Sequence, residues 1–87
     1  MDDDEAAVRA VGPLVEKIWP ILAGQDPRIQ GTVLCDLLAM WLAGFVVPGD
    51  VEATKKLRDE LLAAHVAELP GLIAINAKMI GTDLSED

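Results

Sequence analysis

The sequence predicts an all-α fold: a small bundle of three to four helices around a central apolar helix, completed by oligomerisation. Apolar residues recur at three-four spacing through most of the 87 residues, and nothing alternates with period two long enough to make a strand, Phe45-Val46-Val47 being too short. The third observation is one run, Ile29 to Val47, nineteen residues with a single charge, Asp36, inside it.

On a helical wheel that run places Val33, Leu34, Leu37, Leu38, Trp41, Leu42 and Phe45 over about twice the ~100° stripe that suffices for a helix lying on one core. A buried helix with cover on both sides is the expectation. The remaining face is narrow: Thr32, Asp36, Ala39 and Ala43 follow at helical spacing, so another backbone can approach closely there. That seam and the aromatic side, Trp41 and Phe45, are the candidate interface. Asp26 caps the helix, Pro27 takes its first position, and Gly44 with Pro48-Gly49 stops it, giving a helix near residues 27 to 46. A membrane reading of this run is disfavoured, because Asp36 would cost on the order of 3 kcal/mol at mid-bilayer and neither flank carries a basic cluster.

Before the central run, MDDDE has the acidic character that suits a helix N-terminus, its tip being loose over residues 1 to 5. Val8, Val11, Val15, Ile18 and Leu22 then form one amphipathic stripe of a short N-terminal helix. Gly12-Pro13 interrupts that stripe without shifting its phase, and the cost of an internal proline, about 3 kcal/mol, favours a break there. Trp19-Pro20 and Gly24 end the element.

After the Val47 to Asp50 turn, Asp50 caps a third helix expected from about 51 to 68. Glu52 with Lys56, Lys55 with Asp59 and Lys56 with Glu60 stand four apart and mark a solvated face, each pair worth about 0.3 kcal/mol. The opposite face carries Val51, Leu57, Leu61, Leu62 and Leu69, with Thr54, Arg58 and His65 as a polar line down its middle. Pro70-Gly71 costs a continuous helix about 4 kcal/mol, so a break or strong kink is expected before Leu72 to Ile80, a fourth short helix or the bent end of the third. Gly81 closes it, and residues 82 to 87 read as a loose acidic tail of a single domain spanning 1 to 87.

Composition bounds the function. A domain this small buries only about 60 to 65% of its unfolded surface, yet 52% of its residues are apolar, so apolar surface is left over. A homo-oligomer, a dimer first, is the simplest cover; another protein is the next. The net charge of −8 excludes a nucleic-acid backbone as partner, and no basic amphipathic helix offers itself to anionic lipid. The lone Cys35, inside the apolar run, allows no internal disulfide; with no secretory signal, a cytoplasmic setting is expected.

Asp36 opposite Arg58 or His65 is the one polar constellation the sequence can build. A carboxylate in a dry helix interface needs a partner, so the pair reads as a register-fixing ion pair or hydrogen bond, ahead of an acid–base pair at a ligand or catalytic pocket. No catalytic residue is assigned and an enzyme is not expected: Cys35 points about 100° from Asp36, and the first serine is Ser85. One histidine and one cysteine make no metal site, the glycines make no phosphate loop, and no cofactor is implied. In size and charge the chain is similar to acyl carrier proteins, whose Asp-Ser-Leu motif opens the second helix; here that helix opens with Asp26-Pro27-Arg28, and the resemblance stops at the missing serine. Nor does any stretch match the calcium loop of an EF-hand. The expectation is a non-enzymatic, self-associating interaction or adaptor module, with a pocket near Asp36, Arg58 and His65 or a membrane-associated small subunit as alternatives.

Overall fold

The computed structural model describes residues 3–82 and 84. They form three helices, α1 (Asp3–Ala23), α2 (Pro27–Ala43) and α3 (Val51–Ile80), and no strand among the described residues. The chain divides into two compact units, Met1–Leu38 and Ala39–Asp87, whose boundary falls within α2.

In the first unit, α1 starts with Asp3, Asp4 and Glu5 in its first turn, where carboxylates favour the positive end of the helix dipole. The expected break at Gly12-Pro13 is not made, and Trp19-Pro20 does not end the element: α1 runs 21 residues with both prolines inside. Each proline withdraws one backbone donor. The apolar stripe keeps its phase across both, so a continuous helix holds its side chains on one line where a break would scatter them. Leu22, 6% exposed, is the one buried residue among those described. Its carbonyl accepts the Gln25 N–H at 2.9 Å and the Gln30 side chain at 2.7 Å, tying the end of α1 to the start of α2.

Asp26 opens α2 as expected. Its backbone carbonyl accepts the Gln30 N–H at 3.0 Å and its Oδ1 accepts the Arg28 N–H at 2.8 Å. The helix stops at Ala43, earlier than 46, because Gly44 and Phe45 tighten the last turn with N–H bonds to the Trp41 and Leu42 carbonyls. No residue of α2 is buried: Val33, Leu38 and Leu42 are half-buried, while Leu34, Leu37, Met40 and Cys35 are exposed. Among the described residues none supplies the cover expected for the central helix.

In the second unit, Val47-Pro48-Gly49-Asp50 is a turn closed by the Asp50 N–H on the Val47 carbonyl at 3.1 Å, with Gly49 at φ 76. Proline second and a left-handed glycine third is the type II arrangement. Asp50 then caps α3, its Oδ1 accepting the Ala53 N–H at 2.9 Å. Of the charge pairs on the solvated face, Lys56–Glu60 closes to 3.9 Å. α3 continues for 30 residues through Pro70 and Gly71, so of the two expectations, a fourth short helix or the end of the third, the second holds. It ends on Gly81 at φ 79, with the Thr82 N–H reaching the Ala77 carbonyl at 2.8 Å, a Schellman closure. Of the ends expected to be loose, Asp3 to Glu5 are helical and Thr82 is tied; Met1, Asp2, Asp83 and residues 85–87 lie outside the described residues.

Candidate functional site

The polar line on α3 has a definite role, and it is a backbone one. A helix ends with carbonyls that lack intrahelical donors, and α2 ends in a connection that turns away at once. Arg58 meets two of those acceptors: its Nε donates to the Phe45 carbonyl and its Nη2 to the Ala43 carbonyl, both at 3.0 Å. A cation there also complements the negative end of the α2 dipole. One turn earlier, Thr54 Oγ1 accepts the Val47 N–H at 2.8 Å and donates to the Asp50 carbonyl at 2.9 Å. Together they clasp residues 43–50.

His65 completes the series. Its Nδ1 lies 2.9 Å from the Leu61 carbonyl, and since that oxygen can only accept, Nδ1 carries the proton. The imidazole also meets the Trp41 indole edge-on, with centroids 4.7 Å apart, and Trp41 meets Phe45 at 5.0 Å and 84°. Such pairs add about 0.5–1.5 kcal/mol beyond area burial. Trp41 thus forms the middle of a three-ring cluster while remaining 43% exposed.

The sequence-predicted residues fall into two groups. Arg58, His65, Trp41 and Phe45 come together in the second unit. Asp36 lies in the first and is exposed, so the dry setting that would demand a partner for it is absent, and the polar ties of Arg58 and His65 are all made within their own unit. Thr32 and Asp36 occupy the same face of α2; Thr32 Oγ1 donates back to the Arg28 carbonyl at 2.9 Å. Thr32, Ala39, Trp41 and Ala43 are exposed and Phe45 is half-buried, so four of the five candidate interface residues are open to a partner.

Sequence reasoning missed the clasp and one further feature. An open concavity of about 670 Å³ lies at the connection, lined by Val46, Val47, Val51, Thr54, Lys55 and Arg58 among others. Neither His65 nor Asp36 lines it. Its lining mixes three valines with Asp50, Asp59, Lys55 and Arg58, and no metal-ligand set converges there. Among the described residues no group of three or more His, Cys, Asp or Glu is placed to hold a metal ion.

α3, rather than the Ile29 to Val47 run, is the helix long and apolar enough to cross a membrane among the described residues. It is a weak instance: six charged residues, Glu52 to Glu60, occupy its first third, and Glu68 and Lys78 interrupt the rest. No family model, no curated protein and no solved structure matches this chain.

Proposed function

We propose that this chain is a non-enzymatic interaction module that associates with itself, as a dimer first, and works as an adaptor through its helix faces in the cytoplasm. The observation that carries this reading is the missing core. Leu22 is the one buried residue among those described, while Val8, Val15, Leu34, Leu37, Trp41, Ile73 and Ile80 are exposed. A soluble monomer rarely leaves contiguous apolar surface of more than a few hundred Å² uncovered, and larger patches mark interaction sites. Trp41 and Phe45 have the aromatic character of interface anchors, and on the other face of α2 Thr32, Ala39 and Ala43 are small enough to give a second backbone close access. The exposed thiol of Cys35 suits a reducing compartment.

The pocket reading has less support. Thr54, Arg58 and His65 are each bonded to backbone, which accounts for their placement without a ligand. Light scattering of the detergent-free protein over a hundredfold dilution, the decisive test, should give a constant mass of twice the chain or more. A soluble monomer throughout that range overturns the reading.

A further inference from the structure

The ties described above stop at His65, and the second half of α3 carries apolar side chains without them. Leu62, Val66, Leu69, Ile73, Asn76 and Ile80 follow one another at intervals of four, three, four, three and four, and all six are exposed. This is the 3.5-residue repeat of a coiled-coil seam. Val66, Ile73 and Ile80 take one of its two alternating positions and are all β-branched; Leu62 and Leu69 take the other. β-branched side chains at the first position with leucine at the second favour two parallel strands.

We propose that residues 62–80 of α3 pair, parallel and in register, with the same residues of a second copy of this chain. The proposal rests on the self-association reading and gives it a location and an orientation. Asn76 supports a second copy over any apolar groove. Its Nδ2 donates one hydrogen to the Leu72 carbonyl at 2.9 Å, leaving a second N–H and Oδ1. In a parallel pair Asn76 faces Asn76 of the partner subunit, and each remaining N–H meets the other's oxygen. An antiparallel pair about the centre of the same stretch sets it against Val66, where a buried amide goes unpaired. The stripe of α1, Val8, Val11, Val15, Ile18 and Leu22, likewise offers it nothing polar.

The flanks agree. Leu72 and Met79 line one side of the seam and Ala63, Pro70 and Ala77 the other. In a parallel pair each flank meets the opposite flank of the second strand, large against small; an antiparallel pair sets large against large. Glu68 and Lys78 lie outside the seam, so no like charges are brought together, and Pro70 sits on the small flank. Leu62, Val66, Leu69, Leu72, Ile73 and Ile80 keep between 41% and 74% of their surface open. At roughly 60–120 Å² each, their burial removes on the order of 600 Å² per copy, close to the ~800 Å² per partner of a stable interface.

The test uses the full chain with Cys35→Ala, carrying either Ile80→Cys or Leu62→Cys, oxidised and run without reductant, with mass in solution measured alongside. A parallel pair links the Ile80→Cys protein to itself, and an equal mixture of the two proteins gives no mixed product. Ile73→Asp should raise the dissociation constant by on the order of a hundredfold. If the chain is dimeric but only the mixture links, the pair is antiparallel and the proposal fails while self-association stands. If it is dimeric, neither links and Ile73→Asp leaves the mass unchanged, the seam is wrong and another face is used. A monomer at every concentration removes both readings. Co-sedimentation with phosphatidylcholine vesicles would then assign this face to lipid.

Discussion

The two halves of α3 are built on opposite terms. Up to His65 the helix is anchored by polar groups, Thr54 and Arg58 on the connection from α2 and His65 on its own backbone and Trp41. From Val66 to Ile80 it has one side-chain hydrogen bond, from Asn76, and an exposed apolar surface. Hydrogen bonds to backbone fix one geometry whether or not a partner is present. Apolar surface fixes nothing until something covers it, and is where a partner's contribution to stability would enter.

The sharpest way to probe that difference is Pro70→Ala. Pro70 has no N–H for the Val66 carbonyl, yet the helix continues, so the bare half bears the cost of an interior proline. Restoring the donor should raise stability by as much as about 3 kcal/mol. Urea denaturation at one fixed protein concentration measures it, since mass action would otherwise shift the midpoint of a self-associating chain. No gain would mean that an interior proline costs this helix nothing measurable.

Arg58→Ala acts on the other half and with the opposite sign. Removing a charged donor from the part-buried Phe45 carbonyl and the exposed Ala43 carbonyl should cost about 1–2 kcal/mol. Arg58→Lys should recover only part of this, because an ammonium cannot reach both oxygens with a planar fork. If Arg58→Ala is neutral, water replaces the guanidinium and the clasp contributes nothing to stability. Arg58→Ala should also leave disulfide capture through Ile80→Cys intact, which separates the anchored half from the paired one.

How much of this was legible in the sequence depends on which groups were being matched. An all-helical chain, the caps at Asp26 and Asp50, the Pro48-Gly49 turn and the Gly81 stop follow from residue chemistry alone. The polar line of Thr54, Arg58 and His65 is visible too, but the partner the sequence offers it is Asp36, a side chain, whereas two of its acceptors are the carbonyls of Ala43 and Phe45. Main-chain acceptors have no letter in the sequence. They could have been inferred from Gly44, which ends α2 and strands its last carbonyls. Local cost alone predicts a break at Gly12-Pro13 and a break or strong kink at Pro70-Gly71. The better signal was the apolar phase, unshifted across both, since a stripe that keeps its line through a proline is served by a helix that does too.

The smallest effect concerns the two aspartates that open α2 and α3. Both accept a backbone N–H, but Asp26 also holds a guanidinium: Arg28 Nε lies 3.2 Å from its Oδ1 and Nη2 3.0 Å from its Oδ2. The Arg28 side chain, and then the Arg28 N–H, hold the Asp26 carboxyl below its ordinary value of 3.8. A folded-state value below the unfolded one contributes stability that is present above the unfolded value and lost as pH falls through the folded one. Asp26→Asn keeps a capping side chain but neither the charge nor the titration. The protein should therefore be slightly more stable than Asp26→Asn at pH 7, and the gap should close as pH falls below about 4 and narrow with added salt, because the pair is exposed. Denaturation of both proteins from pH 7 to pH 2.5 decides it. A gap that persists at the acid end would show that the amide is a poorer cap in its own right and that the ion pair contributes nothing to stability.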